Sequence, residues 1–280
     1  MRVALCQIPV SSHPEANLGR VRSALTSARE QGSDLAVFPE GTQVRFSADL
    51  RAAAEPLDGL FCAGLARAAR EFGVALVAGV FEPAPGRRVY NTTVAFSASG
   101  DLVAAYRKIH LFDALGQRES ASVAPGSDLV LAQLGGLTVG LLTCYDIRFP
   151  ELARALAIRG ADLLVIGSAW AAGLFKEEHW VTLVRARAIE NTIWIAAAGQ
   201  VPDPGEPATS APTGVGRSML VDPMGTVRLD LGPAPAVCAG LVDPEETARV
   251  RSVLPCLGNR REDVFPGLSA GQAHPAAATP

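Results

Sequence analysis

Short apolar runs alternate with helix-length amphipathic segments along almost the whole chain, and that alternation is the strongest constraint on what it can fold into. Strands separated by helices build an α/β architecture. The spacing predicts strands at Val3–Pro9, Asp34–Phe38, Ala75–Phe81, Val89–Phe96, Leu102–Lys108 and Leu129–Leu134. Further strands are expected at Leu137–Thr143, Asp162–Ile166, Thr192–Ala198, Ser218–Val221, Val227–Leu231 and Val237–Val242. Helices are expected at Glu15–Gln31, Leu57–Phe72, Pro150–Arg159, Glu177–Glu190 and Pro244–Ser252. Turn chemistry at Ser99-Gly100-Asp101, Gly135-Gly136 and Asp222-Pro-Met-Gly225 punctuates hairpins. Gly32–Phe38 echoes Gly160–Ile166, and each follows a strand and then a helix. The echo marks either two related β-α-β units or simply what any buried unit of this kind looks like.

Composition narrows the function classes. Of 280 residues, 49% are hydrophobic and 19% charged, enough for a large core and too apolar for a disordered chain. A net charge of −3 with both signs scattered leaves no basic stripe, so nucleic acid is not an expected partner. The apolar runs are too short to span a membrane, and the N-terminus lacks the pattern of a signal peptide. Five widely spaced cysteines, with no C-x-x-C pair, fit reduced thiols in a cytoplasm better than a disulfide framework or zinc site. No metal-binding or nucleotide-binding pattern is present, so neither a metal nor another cofactor is expected. The tail 266–280, rich in Pro, Gly, Ala and Ser, is expected to be loosely ordered beyond a single domain at 1–265.

Three strand ends carry chemistry. Cys144 closes the run Leu137–Thr143 and opens a turn toward a helix at Pro150, where a helix N-terminus is expected to lower a thiol's pKa. Glu40 follows Leu35-Ala-Val-Phe-Pro39, at the strand edge where open α/β sheets place their sites. Lys108 ends Leu102–Lys108, and apolar Ile109, Leu111 and Phe112 after it suggest that this lysine turns inward. Taken singly, a solvated glutamate and a snorkelling lysine explain Glu40 and Lys108 better than chemistry does, and an inert buried cysteine explains Cys144 equally well. His110 and His179 are candidates for the base of a Cys–His hydrolase, but their spacing does not favour it. Cys6, Cys62, Cys238 and Cys256 are assigned to packing.

Phe38-Pro-Glu40, Arg107-Lys-Ile-His-Leu-Phe112, Cys144-Tyr-Asp-Ile-Arg-Phe-Pro-Glu151 and Arg185-Ala-Arg-Ala-Ile-Glu-Asn191 occur in that order, with Ser218-Met-Leu-Val-Asp-Pro-Met-Gly225 beyond them. Together they resemble the nitrilase superfamily of carbon–nitrogen hydrolases, and within it the Nit amidase branch. The resemblance implies a four-layer α-β-β-α sandwich over 1–265. It also implies a Glu40–Lys108–Cys144 triad with Glu119 supporting the lysine, and a homodimer or higher even-numbered assembly paired through the helices near the nucleophile. The implied activity is cleavage of a small carboxamide to acid and ammonia through a thioester, with the Tyr145 backbone N–H and Lys108 facing the oxyanion. Substrates of the branch bear a carboxylate, as in deaminated glutathione or an α-keto-acid ω-amide. Arg45 and Arg148 are the candidate cations for it; a structural salt bridge is the alternative for each, and the favoured one for Arg148. Ser168, Ala169 and Trp170 are expected to line the pocket. An N-carbamoyl amine hydrolase or a nitrilase uses the same triad and is the alternative, and a non-catalytic binding protein of the same fold is a third. Gly216-Arg-Ser-Met219 and Gly41 depart from the usual pattern and bear on pocket shape.

Overall fold

The structure is a computed structural model, and it describes residues 1–206, 211 and 213–265. The expected tail at 266–280 and part of the Val201–Gly214 stretch lie outside the described residues. In chain order the first half runs β1 (Arg2–Gln7), α1 (Pro14–Glu30), β2 (Leu35–Val37), α2 (Leu50–Ala53), α3 (Leu60–Phe72), β3 (Ala75–Pro83), β4 (Val89–Phe96), β5 (Leu102–Arg107) and β6 (Val123–Ala124). The second half runs β7 (Leu131–Leu134), β8 (Leu137–Thr143), α4 (Pro150–Ile158), β9 (Leu163–Ser168), α5 (Lys176–Asn191), β10 (Trp194–Gly199), β11 (Met219–Val221), β12 (Val227–Asp230), β13 (Ala236–Leu241) and α6 (Pro244–Val253).

The strands form two sheets. One has the order β13-β1-β2-β3-β4-β5, with the short β6 pairing β4, and the other β12-β11-β10-β9-β8-β7. In the first, β1, β2 and β3 are parallel while β13, β4 and β5 add antiparallel edges. In the second, β8, β9 and β10 are parallel while β7, β11 and β12 are antiparallel. The pairing pattern is therefore the same in both sheets, with three parallel strands in the middle, one antiparallel strand on one side and two on the other. The weak echo between Gly32–Phe38 and Gly160–Ile166 corresponds to this, since β2 and β9 are the central parallel strands of their sheets.

Burial follows from the pairing. Strands covered on both faces need side chains that are apolar in both directions, and β1, β2, β3, β8, β9 and β10 are buried almost throughout. One face of the first sheet packs on α1 and α3 through Val21, Leu25, Phe61 and Leu65 against Ala4, Ala36 and Leu76. Its other face, with Val3, Leu5, Leu35 and Val37, meets the second sheet, whose far face is covered by Leu152, Leu156, Trp180 and Val184 of α4 and α5. The layers are thus α-β-β-α, as the resemblance implies. Every expected strand and helix is present within a few residues. The two elements not expected, α2 and β6, are four and two residues long.

Candidate active site

Glu40 sits between the two sheets, just after β2 and against β3 and β9. Pro39 has no N–H to continue the ladder, so β2 ends and the chain turns at Gly41, which has φ +60°. A Cβ on Gly79 of β3 would overlap the backbone of Glu40 and Gly41, and one on Gly167 of β9 would lie 2.9 Å from the Glu40 nitrogen. Two glycines from two sheets therefore let backbone pack directly on either side of the glutamate. Its carboxylate is 1% exposed as a residue and fully engaged. Oε1 accepts from Lys108 Nζ and Asn91 Nδ2, both at 2.8 Å, and Oε2 accepts from the Ala169 N–H at 2.9 Å.

Lys108 follows β5 and is buried, as its apolar followers suggested. Its ammonium lies between two carboxylates, Glu40 at 2.8 Å and Glu119 Oε2 at 2.8 Å. Burial pulls its pKa down, but Glu119 and Glu40 outweigh that and hold it well above the ordinary lysine value. Glu119 is fixed in turn by the Phe112 N–H at 2.6 Å and by Asn91 Nδ2 at 3.1 Å. Asn91, on β4, thus bridges both carboxylates. Sequence reasoning missed it; the available signal was a buried amide in the otherwise apolar and threonine-rich run Val89–Phe96.

Cys144 opens a 3-10 turn, Cys144–Arg148, directly after β8. Its φ of +47° lies in the left-handed region that side chains other than glycine rarely adopt. Asp146 holds the turn: its Oδ2 accepts from the Thr143 N–H at 2.9 Å and from the Tyr106 hydroxyl at 2.7 Å, and its Oδ1 from the His110 N–H at 3.0 Å. The expected lowering of the thiol pKa does not occur. Burial pushes it far up and Glu40 adds to that, against smaller opposing pulls from Lys108 and the Ser168 hydroxyl. The five-residue 3-10 turn has too little aligned dipole to overcome desolvation.

A cavity of about 150 Å³ opens onto these groups, and Glu40, Lys108, Glu119, Cys144, Tyr145, Ala169 and Trp170 all line it. Ser168, by contrast, is fully buried and outside the wall, with its hydroxyl near enough to the Cys144 thiol to draw its pKa down. Arg45 is not in the wall and pairs with Glu206 at 3.2 Å. Arg148 also stays out of the wall and forms no ion pair among the described residues; its guanidinium lies 4.8 Å from the Trp170 ring centre. The salt bridge expected there is replaced by stacking. His110 holds Asp146 through Nδ1 at 2.8 Å and stacks on Phe149, and so anchors the loop after Lys108 to the Cys144 turn, and His179 lies 3.4 Å from Arg148. Neither histidine faces the sulfur's cavity. On α5, Arg187 pairs with Glu190, whereas Arg185 donates to the Gly225 carbonyl. Among the described residues no cluster of side chains is suited to hold a metal ion, and no helix is long and apolar enough to cross a membrane.

Residues 2–252 match the sequence model of the carbon–nitrogen hydrolase family. A hydrolase of Mycobacterium tuberculosis is 41% identical over 272 residues, covering 94% of this chain and 97% of that protein. The deaminated glutathione amidase of Escherichia coli O157:H7 is 37% identical over 265 residues, covering 93% and 97%. Among solved structures, a glutamate-to-glutamine mutant of the amidase from Nesterenkonia sp. AN1 superposes with a TM-score of 0.80 at 29% identity, covering 95% of each chain. It carries the acetamide moiety of fluoroacetamide covalently added to its active-site cysteine.

Proposed function

The chain belongs to the carbon–nitrogen hydrolase family, and from that premise we propose that it hydrolyses a small, carboxylate-bearing amide through Glu40, Lys108 and Cys144. The observation that carries this is the buried Glu40–Lys108–Glu119 ion triple sharing one cavity wall with the Cys144 thiol. Two carboxylates and one ammonium leave a net charge of −1 beside a neutral thiol. Such a site can move a proton from sulfur to Glu40 without changing its total charge.

Cys144 Sγ attacks the amide carbonyl carbon while Glu40 takes the thiol proton. An ammonium has three protons. Two serve the carboxylates, and the third faces the carbonyl oxygen as it becomes an oxyanion. The Tyr145 N–H, in the first turn where amides have no intrahelical partner, supplies a second donor. Collapse of the tetrahedral intermediate breaks the C–N bond, and Glu40 passes its proton to the leaving nitrogen, which departs as ammonia. A thioester remains. Glu40 then takes a proton from water as the oxygen attacks the thioester carbon, and the acid leaves as the thiol reforms. Glu119 keeps Lys108 charged and in place through both half-reactions.

Deaminated glutathione or an α-keto-acid ω-amide fits this scheme, and the amidase named for the first of these is 37% identical over nearly the full length. Two copies paired through α4 and α5 and a reducing, cytoplasmic setting complete the proposal; the five unbridged cysteines support the latter. Ammonia release from ω-amides, N-carbamoyl amines and nitriles by the wild type and Cys144→Ala tests the function. Wild-type turnover of the ω-amides that is lost in Cys144→Ala is the expected result. Turnover of nitriles alone overturns it.

A further inference from the structure

Lys176 has no role in the chemistry above, yet it is one of the most deeply buried charged groups in the protein. It opens α5, is 5% exposed, and lines the cavity that holds Cys144. Its carbonyl accepts from the Trp170 indole N–H at 2.7 Å, which ties the start of the helix to the end of β9. The ammonium lies 4.2 Å from the ring centre of Trp170 and 5.0 Å from that of Phe112, both in the cavity wall. Among the described residues no carboxylate forms an ion pair with it. Residues 207–210 and 212, and the tail 266–280, contain no Asp or Glu side chain at all. Nor does Arg148, the nearby cation over the same indole, have an acidic partner among the described residues.

A buried ammonium normally has a carboxylate or several oxygen acceptors around it. Aromatic faces compensate in part, but they leave its hydrogen-bond donors unused. The carboxylates in the cavity wall, Glu40 and Glu119, are already committed to Lys108. The cavity wall thus holds, beside the ion triple around Lys108, a second ammonium that no carboxylate among the described residues neutralises. Burial lowers the pKa of Lys176, Cys144 works against that, and Arg148 lowers it further, as expected of a cation waiting for an anion.

We propose that Lys176 binds the carboxylate of the substrate and so selects monoamides of short dicarboxylic acids, placing the carboxamide at Cys144. This rests on the amidase function proposed above and adds to it the residue that chooses the acyl group. Phe112 and Trp170 face the ammonium from the cavity wall, and the carboxylate completes the coordination that the two rings leave open.

The test compares glutaramate with its methyl ester, which has the same chain and no charge, in the wild type, Lys176→Met and Lys176→Arg. The expected result is that the ratio of kcat/KM for glutaramate over the ester falls more than fivefold in Lys176→Met, through KM for glutaramate, and recovers in Lys176→Arg. A smaller change in that ratio overturns the proposal, whether the two activities fall together or both persist. Should Lys176→Met not fold, Lys176→Gln takes its place. If the wild type releases ammonia from neither amide, the amidase proposal fails on these substrates and Lys176 is judged separately. Glutarate is then expected to slow iodoacetamide alkylation of Cys144, read by mass spectrometry, in the wild type but not in Lys176→Met. Equal protection in both, or none in the wild type, overturns the role of Lys176.

Discussion

Cys144 has a left-handed backbone conformation and a thiol whose pKa burial raises, and the proposed mechanism therefore leaves its activation to its neighbours. Glu40→Gln is expected to lower kcat for ammonia release by about 10²–10⁴-fold, the usual worth of a general base. It also carries a structural cost. A glutamine must point its NH2 either at Lys108 and Asn91 or at the Ala169 N–H, leaving donors face to face, so urea unfolding should show a loss of about 1–3 kcal/mol. Lys108→Met is more severe. It strands Glu40 and Glu119 in a buried site without their cation, and a loss of about 3–5 kcal/mol in the same measurement is expected. Glu40, Lys108 and Cys144 were legible because each ends an apolar run, which marks a strand edge. Asn91 and Lys176 were not. An amide inside a strand and a lysine at a helix start have ordinary explanations, and only the folded chain shows that one bridges two carboxylates and the other has none.

At the level of elements, the long strands and helices were legible from continuous apolar runs and from Pro and Gly at their ends. Pro14, Pro150 and Pro244 each stand at the first helical position, where a missing N–H costs nothing. α2 was not legible because four residues carry no periodicity; the Asp49 side chain caps it by accepting from the Arg51 and Ala52 N–H groups. The close approach of β3 and β9 to the turn after β2 was also invisible, since a glycine in a buried strand does not say what presses against it. Gly79→Ala and Gly167→Ala test that contact. In both, the new methyl group meets backbone rather than a yielding side chain, so the Glu40 turn must shift. Each variant is expected to lose about 1–3 kcal/mol of stability by thermal unfolding and most of its ammonia-releasing activity, although neither glycine lines the cavity. Full activity in both would mean that the turn tolerates displacement.

Across the whole molecule, several buried acids stay protonated in the fold. Burial raises the pKa of Cys6, Cys144 and Tyr106 far above their ordinary values and that of Cys62 to about 12. Once unfolded they would ionise at about 8.5 for cysteine and about 10 for tyrosine. The folded state therefore binds more protons than the unfolded state above about pH 8.5. Stability is complete below that pH and declines as pH rises, by up to about 1.4 kcal/mol per pH unit for each group that has begun to ionise when unfolded. The melting temperature should fall between pH 8 and pH 10, and less steeply in Cys6→Ala; a flat profile would contradict the burial of these thiols. At this scale the layers could be inferred from the alternation of strands and helices, but the return of β13 to the first sheet could not, because any strand can pair with any open edge.

That return pairs Arg2–Gln7 with Ala236–Leu241, the first strand of the chain with the last. A ribosome delivers them in the opposite circumstance, far apart in time. At about 5–20 residues per second, β1 emerges roughly 10–50 seconds before its partner. Throughout that interval its outer edge is an open row of hydrogen-bonding groups on a strongly apolar strand, the kind of edge that invites pairing with another nascent chain. The strand that finishes the sandwich therefore also ends the period in which the newborn protein is most exposed to aggregation.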